Sequence, residues 1–183
     1  MNISDNGVKF IADHEGFSAT AYKNAGETYW TIGFGHYGAD VKEGDTITRE
    51  DALILLKSDL TYYVEQTNNI ALSKFPDLNQ NQFDALVSYC YNRGAGNSQG
   101  TNGLRQLIYN SNSIEEISSN FVIYWGSNTN YYDGLINRRK AEQKLFNTPI
   151  GGTGGDTGDD TPTVSVKRSN LSKLLLFSVI GDF

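Results

Sequence analysis

The sequence predicts an α+β fold: one short helix, a small antiparallel sheet near the N-terminus, and a larger helical part behind it. Three observations carry that expectation. Val8, Ile11 and Ala12 recur at helical spacing behind Ser4, a residue suited to capping a helix. The stretch from Thr20 to Phe34 is aromatic and Thr-rich around Asn24-Ala25-Gly26, the composition of a hairpin. From Thr48 onward the periodic segments have helical spacing, and strands followed by helices are the α+β arrangement.

The first helix places Glu15 at its C-terminus, with Gly16 suited to the left-handed residue after the end. Ala21-Tyr22-Lys23 and Tyr29-Trp30-Thr31-Ile32-Gly33-Phe34 then pair across the turn. Thr48 and Asp51 resemble a capping box, and Ala52, Leu53, Leu56, Leu60, Tyr63 and Val64 form one apolar face, which predicts a single long helix. Beyond Pro76, Phe83, Leu86, Val87 and Cys90 hold the period up to Gly94; Leu104, Leu107 and Ile108 mark a shorter helix. Ser113-Ile114-Glu115-Glu116 is an S-x-x-E start, and Leu135 to Phe146 forms a last, highly charged helix.

Composition narrows the function. The chain has 183 residues, 38% of them apolar, enough for one sizeable core. Its net charge of −6 argues against nucleic acid as the main partner. One cysteine, Cys90, excludes an internal disulfide, and with two histidines it cannot assemble a Cys/His zinc cluster. Cys90 keeps the period of Phe83 and Leu86, so it reads as a buried small apolar residue. The acidic excess lies within the first 75 residues, which suggests a distinct lobe. Met1 to Asn6 is polar and lacks the layout of a secretory signal, and the apolar run Leu174 to Ile180 is far shorter than the roughly 20 residues that span a bilayer. Gly151 to Thr163 holds no apolar residue and cannot sustain a core. The expected division is a domain over 1–148, a linker over 149–163 and a tail over 164–183. In the tail, Lys167, Arg168 and Lys173 precede the apolar run; weak contact with an anionic membrane or a virion is one expectation, a peptide without a role the other.

On local grounds Glu15 is a candidate general acid. The negative end of the helix dipole and the orphan carbonyls there disfavour a second negative charge, so the protonated carboxyl is favoured. An exposed glutamate at a frayed helix end accounts for the same position.

The surrounding strings are more specific. Glu15-Gly16-Phe17, Ala21-Tyr22-Lys23 and Trp30-Thr31-Ile32-Gly33-Phe34-Gly35-His36-Tyr37-Gly38 are followed by Asn79 to Ser88, Tyr91-Asn92-Arg93-Gly94 and Gly134-Leu135-Ile136-Asn137-Arg138-Arg139, with Glu142 and Phe146 beyond. Over residues 3 to 147 the chain resembles phage-type lysozymes, glycoside hydrolase family 24, and is most similar in wording to endolysins of phages that infect Gram-positive bacteria. The resemblance implies a cleft between sheet lobe and helical lobe, Glu15 as catalytic acid and Thr31 as an active-site residue, although Thr31 alone reads as an ordinary strand threonine. At one position the chain departs from many members. Nine residues after the Glu they carry Asp or Cys, whereas Asn24 stands here and cannot accept a proton from water. The subgroup with Gly-His-Tyr-Gly often has a Glu four residues before the Thr, which is Glu27; Asp40 is the competing carboxylate. Asn24→Ala is accordingly expected to be mild.

The resemblance further implies that Arg138 faces Glu15, where it favours the carboxylate, against the alternative of a surface cation. His36 is expected to orient the hairpin through hydrogen bonds, and Tyr91 and Asn92 to line the cleft. The implied activity is hydrolysis of the β-1,4 bond between N-acetylmuramic acid and N-acetylglucosamine in peptidoglycan, with no metal or organic cofactor, for phage lysis or entry. An inverting enzyme needs its acid and base about 6.5 to 9.5 Å apart. Two other functions remain open: a lytic transglycosylase using Glu15 alone, and a wall-binding virion component that does not cut. The expected protein is a monomer made in the host cytoplasm, reaching the wall after holin-mediated release or as part of the virion.

Overall fold

The computed structural model describes residues 1–123 and 132–150; the expected linker beyond Ile150 and the tail over 164–183 lie outside them. In chain order the elements are α1 (Asp5–His14), β1 (Ser18–Tyr22), β2 (Trp30–Gly33), β3 (His36–Gly38), α2 (Arg49–Asp59), α3 (Thr61–Ala71), α4 (Gln80–Arg93), α5 (Gly103–Tyr109), α6 (Ile114–Asn120) and α7 (Tyr132–Phe146). The fold is α+β, as the patterning predicts.

The start of α1 is tied to α4. Ser4 caps α1 by accepting from the Gly7 amide at 3.0 Å. The buried Asp84 of α4 accepts from the Ser4 amide at 3.0 Å, from the Ser4 hydroxyl, and from Gln80 Nε2 at 2.8 Å. A Cβ at Gly7 would lie 2.6 Å from Asp84 Cγ, so only glycine lets the two helices approach this closely. At its other end α1 departs from expectation. Gly16 is not among the glycines with positive φ; the helix stops because Glu15 turns extended, with φ −104 and ψ 150. The chain needs that direction to enter β1 at Ser18.

The sheet has order β1-β2-β3, all antiparallel, with Tyr22 opposite Thr31 and Ile32 opposite His36. Sequence periodicity missed β3, because His36-Tyr37-Gly38 is three residues long and carries no alternating pattern. Gly33 and Gly35 take positive φ, which lets the chain reverse within two residues between β2 and β3. Ala21, Ile32 and Val41 form a small core beneath the sheet.

The expected long helix is two. The helix is interrupted at Leu60, the single residue between α2 and α3, where the Thr61 hydroxyl donates to the Ser58 carbonyl at 2.7 Å. Leu56 before the interruption and Leu60 at it are buried, and Val64 beyond it packs against the same core, so the apolar period continues through and does not reveal it.

Helix α4 joins the two main cores. Phe83 and Val87 pack with Ile11, Phe34, Leu56 and Leu60, whereas Leu86, Tyr89 and Cys90 pack with Leu104, Leu107, Phe121 and Phe146. Its ends are defined by a capping box between Asn79 and Gln82 and by Gly94 at positive φ. Because α1 packs into α4, the acidic first half does not stand as a lobe by itself; only the sheet has a core of its own. No helix among the described residues is long and apolar enough to cross a membrane.

Candidate active site

Glu15 leaves the end of α1 and meets α7. Arg138 Nη1 donates to Glu15 Oε1 at 2.6 Å, a pair whose side chains are 7% and 17% exposed, respectively. The contact spans 123 residues of sequence and fixes both the direction of the carboxylate and its nearest positive charge. Arg138 is therefore an inward-facing cation, not one of the solvated charges on α7. Burial works against its charge, but Glu15 and Glu142 outweigh burial and raise its pKa.

Behind this pair lies a dry ionic cluster. Glu142 Oε1 accepts from Ser88 Oγ at 2.8 Å, Arg139 Nη2 at 2.8 Å and Arg138 Nε at 3.2 Å. Arg139 also donates to Asn92 Oδ1 at 3.0 Å, and its guanidinium stacks 4.6 Å from the Tyr89 ring centre. Burial lowers the pKa of Arg139, with the Arg138 charge adding to that effect and Glu142 opposing it. Arg139 and Glu142 are both completely buried. By sequence they count among the charges of the last helix, with no role of their own. Their signal was present in the spacing: Arg138, Arg139 and Glu142 stand at i, i+1 and i+4, so one side of α7 carries a carboxylate within reach of both cations.

The hairpin holds a second carboxylate by local bonds. Glu27 accepts from the Asn24 amide at 2.8 Å through Oε2 and from Asn24 Nδ2 at 2.9 Å through Oε1. Asn24 is thus a direct partner of Glu27, which the expectation of a mild effect at Asn24 did not include. Tyr22 joins them: burial raises the pKa of its hydroxyl, the Glu27 charge adds to that, and a hydrogen bond with Thr31 opposes it. Thr31 is buried in β2, directly across from Tyr22. Glu27, Asn24, Tyr22 and Thr31 therefore form one group on the sheet.

Asp40 points elsewhere. It accepts from His36 Nε2 at 3.0 Å and is 70% exposed, while Asp59 at the end of α2 lies 2.9 Å from His36 Nδ1. Burial opposes the imidazolium, but the hydrogen bonds with Asp59 and Asp40 outweigh it and raise the His36 pKa. His36 so clamps β3 onto α2. Tyr91, at the C-terminal part of α4, packs its ring 5.0 Å from Tyr63; burial raises the pKa of its hydroxyl and the Glu15 charge raises it further, which sets Tyr91 in the electrostatic field of Glu15. Asn92 enters through its bond with Arg139. The Cys90 thiol, enclosed in the core, is pushed up to about 12 by burial, so it is inert as a nucleophile.

Comparison with known proteins identifies the family. The Phage lysozyme family model matches residues 12–142. An endolysin of Bacillus phage PZA is 38% identical over 179 residues, covering 95% of this chain and 67% of that protein, and one of Bacillus phage B103 is 38% identical over 149 residues, covering 81% and 55%. The chain thus spans little more than half of the B103 protein's length, and the PZA match runs past Ile150 into the segment expected as linker and tail. An endolysin of Salmonella phage P22 is 35% identical and matched over 98% of its length. Among solved structures, a variant of P22 lysozyme superimposes with TM-score 0.65 at 34% identity, covering 80% of this chain and 98% of that one. The muramidase domain of SpmX from Asticaccaulis excentricus gives 0.64 at 34% identity, covering 81% and 99%. The sheet, Glu15, Glu27, Thr31 and Arg138 all fall within residues 12–142, and the chain belongs to the phage lysozyme family.

Proposed function

We propose that the protein is a muramidase that hydrolyses the β-1,4 bond between N-acetylmuramic acid and N-acetylglucosamine in peptidoglycan, serving phage-driven degradation of the host wall. The observation that carries this reading is Glu15, a mostly enclosed carboxyl at a helix end with Arg138 at 2.6 Å. The named endolysins and the muramidase-domain neighbour support the substrate class.

In this reading Glu15 donates its proton to the glycosidic oxygen as the bond to the anomeric carbon breaks. The carboxylate left behind is stabilised by Arg138, a charge already aimed at the place where negative charge develops. Glu27 takes a proton from water, whose oxygen forms the new bond to the anomeric carbon on the opposite face and inverts it. Asn24 orients Glu27 by two hydrogen bonds, one to each carboxylate oxygen. Tyr22 and Thr31 border that carboxylate and give the water a polar wall. Asp40, bonded to His36 and largely exposed, is the weaker candidate base. Tyr91 and Asn92 present a flat ring and an amide suited to the faces and hydroxyls of sugars.

The test is turbidity loss of purified Gram-positive walls with mass analysis of the released fragments. Hydrolysis gives fragments carrying one added water, and Glu15→Gln abolishes the loss. Fragments ending in a 1,6-anhydro ring overturn hydrolysis in favour of transglycosylation, and an inert wild type that still binds walls overturns cleavage altogether.

A further inference from the structure

We infer that Tyr37 is a positioning residue: its hydroxyl pins the turn that carries Glu27 to the third strand and so sets where the Glu27 carboxylate stands over the sheet. The inference rests on Glu27 as the general base and goes beyond it, because the bonds of Tyr37 go to the backbone after Glu27, whereas those of the carboxylate go to Asn24.

The sheet register brings the residues concerned to one face. Tyr22 of β1 stands opposite Thr31 of β2, and Thr31 stands opposite Tyr37 of β3, so the three side chains form a row across the strands. Ala21 and Ile32, their neighbours in β1 and β2, belong to the small core on the other face. Continued one residue before β2, the alternation puts Tyr29 on the side of Thr31, diagonal to Tyr37, and the two rings meet edge to face with centres 5.5 Å apart. That contact carries the Tyr37 hydroxyl to the end of the turn. There its oxygen, which has room for two donors, accepts from the Thr28 amide and from the Tyr29 amide, both at 3.1 Å.

Local bonds give the turn a shape but not an aim. The Glu27 amide donates to the Asn24 carbonyl at 3.2 Å, Asn24 meets both oxygens of Glu27, and Lys23 Nζ donates to the Thr28 carbonyl at 2.9 Å. Each of these bonds has both partners within residues 23–29, so none of them fixes the angle of the turn to the sheet. Among the described residues, Tyr37 is the side chain outside that span that hydrogen-bonds into it. Packing does not take its place at the tip, since a Cβ at Gly26 would meet nothing within 4 Å. A base has to face one water with its accepting oxygen, and misplacement by roughly 1 Å can cost about 10²-fold in rate. The Tyr37 hydroxyl therefore holds by two amides what the turn cannot hold by itself.

The experiment measures kcat and KM of the full chain on soluble glycan fragments from Gram-positive walls for the wild type, Tyr37→Phe, Glu27→Gln and the double variant, with folding of each checked by circular dichroism. Tyr37→Phe keeps the ring and its contact with Tyr29 and removes only the acceptor. It is expected to lower kcat about tenfold while KM stays within about twofold. On the residual activity of Glu27→Gln the same change is expected to alter kcat by less than about twofold, because the group it aims is gone. A purely structural role lowers kcat equally in both backgrounds, and a direct contact with sugar raises KM; each of these results overturns the inference, as does an unchanged kcat in Tyr37→Phe. If Glu27→Gln leaves no measurable rate, the split between kcat and KM decides. If Glu27→Gln is inactive while Tyr37→Phe is normal, only the role of Tyr37 falls; if Glu27→Gln retains normal activity, the base assignment falls first and the inference with it. Should Tyr37→Phe not fold, hydrogen exchange of the Thr28 and Tyr29 amides in the wild type decides: protection at both upholds the anchor, and exchange at the rate of a free peptide overturns it.

Discussion

Two carboxylates are held in this protein by opposite means. Glu15 is oriented by Arg138, 123 residues away in sequence and almost completely enclosed, backed by a second arginine and a shared glutamate. Glu27 is oriented by Asn24, three residues away on a partly exposed turn, through neutral donors alone. The first arrangement works by charge in a dry region, where each ion counts for several times its value in water. The second works by geometry in a wetter region, where loss of one donor is softened by solvent. A group that must give up a proton and then be stabilised as an anion gains from the first; a group that must remain an anion throughout needs only the second.

That contrast can be broken by substitution. Glu15→Gln is expected to lower kcat on purified walls by about 10² to 10⁴ with the fold intact, because the amide matches the volume and carries no transferable proton. Near-normal lysis by this variant removes Glu15 from the mechanism. Glu27→Gln should cost at least about 10², since a neutral amide cannot accept the proton from water, while Asp40→Asn should stay within about threefold. The reverse ranking assigns the base to Asp40.

Arg138→Ala distinguishes the dry side from the wet one by stability as well as rate. Removing one member of a buried ionic cluster should cost about 3 kcal/mol, read from urea unfolding, and kcat on purified walls should fall because Glu15 loses the guanidinium that orients it. An unchanged kcat means that the pair does not act on catalysis. Asn24→Ala, the matching change on the hairpin, removes the Nδ2 bond to Glu27 and leaves the backbone one. A loss of about 1 kcal/mol, or roughly fivefold in kcat with little change in unfolding, is the expectation.

The smallest effect concerns the clamp between the two regions. His36 has a raised pKa in the folded protein, so the stability it contributes is fully present below its ordinary value of about 6.5 and fades as pH rises through the raised one. The melting-temperature gap between wild type and His36→Gln should be widest below about pH 6 and should narrow on the alkaline side. A gap that grows with pH assigns His36 some other contact.

How far the molecule was legible beforehand differs between these regions for the same reason. Ser4, Thr48 with Asp51, and Ser113 with Glu116 mark helix starts because capping needs only residues three apart, and all three caps form. The turn over Asn24 to Gly26 is likewise local. By contrast, the interruption at Leu60 leaves the apolar period undisturbed, β3 is too short to show one, and Gly16 is passed over because the route into β1, not the helix end, sets the backbone there.

The amino-acid order by itself determined what depends on neighbours along the chain: the α+β class, most helix positions, the hairpin, the buried Cys90, and the strings that tie Glu15 to the phage lysozyme family. Only the tertiary structure decided which charges are buried and against what. Arg138, Arg139 and Glu142 are written as three charged residues of a helix rich in charge; their spacing allows them to pair, but it does not show that they are buried while Lys140 and Lys144 are exposed. They turn inward because α7 packs along α4, where Ser88 and Asn92 supply partners that make burial of those ions tolerable. Burial is a property of packing between distant segments, and the energy of an ion depends on burial more than on any neighbour in sequence.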